Sequence, residues 1–269
     1  MLNTFSFEGR TVDLKLLRSA AMAFSMFSRI PMPKVEWKKE NMQYMLAFFP
    51  LIGCVIGLLM WCWLGFCNAL NISNFLFAAG MMLISLLITG GIHLDGFCDT
   101  VDALASHTTT ERKHEIMKDS HIGSFAVISL VTCFIVSFAL YAEMRSQKIV
   151  AIACILPVLS RILSAFASTA FKKYHAQGLL STFSDGTNKK VVLVFLLIFF
   201  LMCLASLSYV NIYLGLAALV SGLLSLVYVY FMSKNKFGGM SGDIAGFLLT
   251  VSELTMLFFV YIAWRIFSL

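Results

Sequence analysis

Residues 191–232 read VVLVFLLIFFLMCLASLSYVNIYLGLAALVSGLLSLVYVYFM, without one Asp, Glu, Lys or Arg. A helix needs about 20 apolar residues to cross a hydrocarbon core of about 30 Å. The stretch is therefore expected to cross a membrane twice, over 190–209 and 211–232. Working outward, similar runs predict five more spans, near 47–68, 73–92, 123–143, 149–170 and 243–266. The runs are continuous and show no regular alternation between turn signals, which argues against a β-barrel. At 59% hydrophobic and 13% charged residues, with a mean hydropathy of +0.87, the chain exceeds what a soluble domain can hide in its core. The expected fold is all-α, a single membrane domain over 1–269. It is a polytopic bundle of about seven transmembrane helices over 47–269, behind an N-terminal segment, 1–46.

That N-terminal segment is too polar, and its apolar part comes too late, for a cleavable signal peptide. Its stretch from Asp13 to Phe27 places Leu16, Leu17, Ala20, Ala21, Phe24 and Phe27 at mostly helical spacing, which predicts an interfacial helix. Ser28–Pro33 then breaks it, because Pro31 and Pro33 supply no amide hydrogen and disfavour helix in the residues before them. Fifteen of the 20 lysines and arginines lie in residues 1–46 and in connections near 93–122, 171–189 and 233–242. This asymmetry predicts a multi-pass protein of the cytoplasmic (inner) membrane, with those segments on the cytoplasmic side. The net charge of +6 reads as topology and affinity for anionic lipid headgroups, not as a nucleic-acid surface.

Chemistry gathers in those connections. Residues 90–102, GGIHLDGFCDTVD, place Asp95, Asp99 and Asp102 at i, i+4 and i+7, on one face of a helix. Like charges so close are expected to need a compensating cation. Further on, Lys118-Asp119-Ser120-His121 precede a Gly–Ser pair that opens a span, where free amides can hold an anion. The connection 233–242 carries Lys234, Lys236, Gly238, Gly239 and Gly242 just before Asp243, and its glycines allow close backbone approach. Carboxylates for a divalent metal and bases for phosphate would thus share one compartment. Mg²⁺ takes oxygen ligands and bridges carboxylates to phosphates, so phosphoryl transfer is the expected reaction class.

Plainer readings compete with these. An arbitrary Asp triplet beside a membrane is often a set of solvated loop charges, and the Gly-rich acidic connection on the same side tips the balance to function. His107, His114 and His121 recur every seven residues, but positions i and i+7 on a helix are about 10 Å apart, too far to share one ion. They read as exposed polar histidines. Six of the seven cysteines lie in apolar spans and none reads as a disulfide partner. Gly53-x-x-x-Gly57 is a weak signal for close helix packing. Arg161 and Glu253 fall inside spans, so either they pair to hold helices together, or Arg161 meets a substrate phosphate and Glu253 a metal or a substrate amide.

In order along the chain, Phe27–Pro33 (FSRIPMP), Phe48–Gly53 (FFPLIG), Gly90–Asp102, Met117–Gly123 (MKDSHIG) and Gly238–Asp243 (GGMSGD) resemble the cobalamin synthase family, the adenosylcobinamide-GDP ribazoletransferases. The resemblance implies a Mg²⁺-dependent membrane enzyme of late corrinoid assembly, working alongside other corrinoid-assembly enzymes. It would join adenosylcobinamide-GDP to the ribose hydroxyl of α-ribazole or its 5′-phosphate, yielding adenosylcobalamin or its 5′-phosphate and GMP. Asp95, Asp99 and Asp102 would hold metal, with Glu253 a further candidate ligand. Asp243 would bind a second ion or take the hydroxyl proton. Lys118, Asp119, His121, Arg161, Lys236, Gly238 and Gly239 are the expected substrate-binding set. The chain departs from the family pattern at Ala103, where glycine is frequent, and at His121, where arginine is.

Two rival expectations remain. A CDP-alcohol phosphotransferase also carries aspartate clusters on membrane helices, but its pattern wants Ala-Arg where this chain has Asp99-Thr100. A transporter would concentrate charge at mid-membrane and repeat its halves, whereas here the acids cluster at one face.

Overall fold

The structure, a computed structural model, describes residues 8–174 and 187–267. The described helices are α1 (Glu8–Phe27), α2 (Lys39–Met42), α3 (Phe49–Ala69), α4 (Asn74–Thr89), α5 (Ile92–Ala105), α6 (Thr110–Ile116), α7 (Ser124–Glu143), α8 (Gln147–Ala170), α9 (Lys189–Val210), α10 (Ile212–Phe237) and α11 (Gly242–Phe267). Six of them, α3 and α7 to α11, are each long and apolar enough to cross a membrane.

The expected span 73–92 is where the structure differs. α4 stops at Thr89 and the chain turns by 92° into α5, so a seventh crossing exists only if the bent pair is one broken span. Gly90 and Gly91 make the turn with φ of +65° and +81°, a left-handed backbone that residues with a Cβ rarely adopt. The loop after α1 closes over this break. Arg29 N donates to Ile88 O at 2.7 Å, and the Arg29 side chain fills the space that a Cβ on Gly90 would take.

The connections expected over 93–122 and 233–242 are also largely helical, as α5, α6 and the last turn of α10. Each is held by neighbours that the local sequence does not contain. Of the connection expected over 171–189, residues 175–186 lie outside the described residues.

α8 is the central helix, with most residues from Ile149 to Thr169 buried, whereas α7 buries only Ala126 and Leu140. The Gly53–Gly57 pair is the contact of α3 with α8. A Cβ on Gly53 would stand 2.5 Å from Pro157 O, and one on Gly57 would overlap Cys154 O. α1 forms where an interfacial helix was expected, but part of its apolar face is turned to protein. Met22 and Ala23 pack with Met42 and Met45, and Phe24 and Phe27 pack on the main core. At the other end of α8, Arg145 donates to Cys67 O (3.1 Å) and Ile72 O (2.5 Å), satisfying carbonyls at the end of α3 and in the turn beyond.

Gly57→Val should force α3 away from α8 and cost about 1–3 kcal/mol, read as a lowered Tm in detergent. Gly65→Ala, on the same helix with nothing within 4 Å of an added Cβ, should leave Tm unchanged or slightly raised. Equal Tm values for the two variants would refute this account of the α3–α8 contact.

Candidate active-site cleft

α5 carries Asp95, Asp99 and Asp102 along one face, and its Asp95 lies in the first turn, where the helix dipole favours an acid. α5 runs against the beginning of α11 at backbone contact. A Cβ on Gly96 would stand 2.8 Å from Asp243 Cα, and one on Gly246 would stand 2.9 Å from His93 O. Beside the two glycines, the rings of Phe97 and Phe247 stack at 5.6 Å. Ser164 Oγ donates to Ala245 O at 3.0 Å, tying the same turn of α11 to α8. Asp243 is thereby carried to the aspartate face of α5.

Asp95 and Asp99 open into a cleft of about 700 Å³, whose other lining includes Gly90, Gly91, Lys118, Asp119, Ser120 and His121. Asp95 is exposed and Asp99 partly buried. α5 is not one of the six spanning helices. Burial first, then the charges of Asp95, Asp243 and Asp102, push the Asp99 carboxyl up to about 7. A cation between these groups would relieve that repulsion. Across the cleft, Asp119 Oδ1 accepts from His121 N (3.0 Å) and lies 2.7 Å from His121 Nδ1. The contact holds Asp119 below the usual carboxylate range and orients the imidazole.

Other expected site residues are placed differently. Asp102 Oδ2 accepts from Gly123 N (2.6 Å) and Oδ1 from Ala126 N (2.9 Å), so this carboxylate caps the start of α7. Both its oxygens are engaged and it does not line the cleft. Gly238 ends α10 with φ of +70°, and Gly239 packs against Lys173 and Tyr174, 2.5 Å from a would-be Cβ. Met240 N then donates to Lys172 O (2.8 Å) and Tyr174 N to Met240 O (3.2 Å). These glycines serve a helix cap and a short parallel pairing, and neither they nor Lys236 line the cleft.

Arg161 and Glu253 form an ion pair at 2.8 Å away from the cleft lining, because an arginine with no exposed surface needs a counter-charge. His114 is buried, not exposed as expected. Its Nε2 lies 2.9 Å from Phe237 O, and its ring stacks on Tyr174 at 3.5 Å.

Among the described residues no set of three or more His, Cys, Asp or Glu side chains is arranged to hold one metal ion. Two carboxylates facing a cleft nonetheless fit Mg²⁺, which commonly takes one or two protein carboxylates and completes its shell with water and substrate phosphates. Sequence reasoning missed Gly96, Gly246 and Arg29 as parts of this site. The glycines signal it only by falling beside Asp95 and one helical turn after Asp243.

Residues 19–261 match the model of the cobalamin-5-phosphate synthase family. An adenosylcobinamide-GDP ribazoletransferase of Lachnoclostridium phytofermentans is 36% identical, over 90% of this chain and 92% of its own length. Proteins of the same name from Clostridium botulinum strain Alaska E43 and Desulfitobacterium hafniense are 36% and 30% identical, over 90% of this chain and 96% and 95% of theirs. No solved structure matches the chain. These likenesses favour the transferase expectation over the CDP-alcohol and transporter ones. With its aspartate helix, its apolar bundle and relatives aligned along nine-tenths of its length, the chain belongs to the cobalamin-5-phosphate synthase family.

Proposed function

We propose that the protein transfers the adenosylcobinamide-phosphate group from adenosylcobinamide-GDP to the ribose hydroxyl of α-ribazole or its 5′-phosphate, with Mg²⁺, releasing GMP. The observation that carries this is the cleft in which Asp95 and Asp99 face Lys118 and His121, in a chain of this family. In the reaction the hydroxyl oxygen forms a bond to the phosphorus that bears the corrinoid arm. The bond from that phosphorus to the bridging oxygen breaks, and its electron pair leaves with GMP. Lys118 and His121 hold phosphoryl oxygens, and Asp119 keeps His121 in place. The hydroxyl proton passes to a carboxylate of the Asp95, Asp99 and Asp243 group. Mg²⁺ held against Asp95 and Asp99 would supply charge neutralisation on the phosphoryl oxygens and the leaving group. The positive-inside asymmetry supports a cytoplasmic-membrane location with the cleft facing the cytoplasm.

The test is GMP release by the protein in detergent or liposomes, given adenosylcobinamide-GDP and α-ribazole 5′-phosphate. GMP and a complete corrinoid should form only with both substrates and Mg²⁺, and a chelator should stop the reaction. Release without the acceptor, or none from the folded protein, overturns the proposal. Asp95→Asn should lower kcat by at least about 100-fold with little change in Tm, and near-normal turnover with unchanged Mg²⁺ dependence would remove it as a ligand. Asp102→Ala should instead lower Tm by the loss of a helix cap, about 1–2 kcal/mol, with an unaltered Mg²⁺ concentration for half-maximal rate. A shift in that concentration would return Asp102 to the metal.

A further inference from the structure

The loop between α1 and α2 carries a cation to the edge of the cleft that the reaction described above does not use. Ser28 Oγ donates to Phe24 O at 2.6 Å and accepts from Ile30 N at 3.3 Å. Arg29 N donates to Ile88 O at 2.7 Å, so its backbone is tied to the end of α4. The Arg29 side chain lies along Gly90, with Cγ, Cδ and Nε all within 3 Å of where a Cβ would stand. Gly90 and Gly91 line the cleft. Arg29 stands just outside that lining, at its rim, and is exposed. Among the described residues its side chain takes part in no ion pair and no hydrogen bond. Filling the space beside Gly90 needs only the stem, and it leaves the charged fork free.

Charge inside the cleft falls short of what the reaction brings. Among the described residues, Lys118 is the only lysine or arginine in the lining, against Asp95, Asp99 and Asp119. His121 is already paired with Asp119. In the transferase reading, Mg²⁺, Lys118 and His121 meet the donor's phosphates, which flank the bond that breaks. A phosphomonoester on the acceptor adds a further charge of about −1.5 to −2 at neutral pH, and the lining holds no lysine or arginine left for it. A guanidinium matches phosphate oxygens in pairs. Position agrees with charge. Asp95 N donates to Gly91 O at 2.9 Å, so this carboxylate lies one helical turn, about 5.4 Å, from the glycines beside Arg29. An acceptor whose ribose hydroxyl reacts at Asp95 carries its 5′-phosphate one sugar ring away, within reach of that rim.

We propose that Arg29 binds the 5′-phosphate of the acceptor and makes the phosphorylated acceptor the preferred one. The inference rests on the transferase reading and adds to it the residue that tells α-ribazole 5′-phosphate from α-ribazole.

The test compares the wild-type protein with Arg29→Met, which keeps an apolar stem over Gly90, and Arg29→Lys, which keeps a charge without the fork. All are held in phospholipid-free detergent, so that no headgroup phosphate competes. Equilibrium dialysis measures binding of α-ribazole 5′-phosphate and of α-ribazole, and kcat/KM for GMP release is measured with each. The wild-type protein should prefer the phosphorylated acceptor. Arg29→Met should cut that preference at least about 10-fold, through binding and KM and not through kcat, and Arg29→Lys should keep part of it. If Arg29→Met does not fold, Arg29→Gln is measured in its place. A preference unchanged in the variant, whether both acceptors are weakened together or neither is, overturns the proposal and leaves Arg29 as packing on the α4–α5 break. A wild-type protein without preference, or an effect confined to the KM of the donor, overturns it too. Phosphate-selective binding that Arg29→Met abolishes, without GMP release by the wild-type protein, supports Arg29 and overturns the reaction alone. GMP release without such selectivity overturns the role of Arg29 alone.

Discussion

Backbone contact between α5 and the start of α11 is the constraint on which the site depends. Gly96 and Gly246 have no side chain to hold the helices apart, so Asp243 arrives beside an aspartate face belonging to a segment far away in sequence. A methyl group at either position would stand within 3 Å of the facing backbone, so the two helices would have to shift. Phe97 stacked on Phe247 and Ser164 bonded to Ala245 O hold the same register from the two flanks. The break at Gly90-Gly91 then sets where α5 begins, and with it which of its carboxylates face open space.

Charged groups in so apolar a chain are handled in three ways. Asp102 accepts from two amides at the start of α7. Arg161 is paired with Glu253, and its guanidinium lies over the Phe49 ring. Asp95 and Asp99 are left facing a cleft, where burial, and after it the charges of the neighbouring acids, push the Asp99 carboxyl up to about 7. The first arrangement engages both carboxylate oxygens within the protein. The last leaves carboxylates open to the cleft, and open polar groups are where a ligand gains most from binding.

The membrane class was legible because hydrophobic length is a local property, and the six crossing helices fall where the uncharged runs place them. The common face of Asp95, Asp99 and Asp102 was legible for the same reason, since helical spacing alone puts them there. The break after Thr89 was written in Gly90-Gly91, but two glycines do not by themselves announce a turn of 92°. The structural use of Gly238 and Gly239 was hidden. The residues they pack against, Lys173 and Tyr174, lie far off in the chain, and a Gly-Gly loop beside lysines looks the same whether it meets a phosphate or another backbone.

By itself the sequence determined that the chain is a helical membrane protein with acids gathered just past an apolar run, because solvent preference and helical periodicity act residue by residue. Only the tertiary structure decided which acids remain available. It turned Asp102 inward to a helix end, joined Arg161 to Glu253 and brought Asp243 beside Asp99. Each outcome depends on which helix packs against which, and that is settled by close glycine contacts and by the cost of burying an unpaired charge, neither of which spacing along one segment can express.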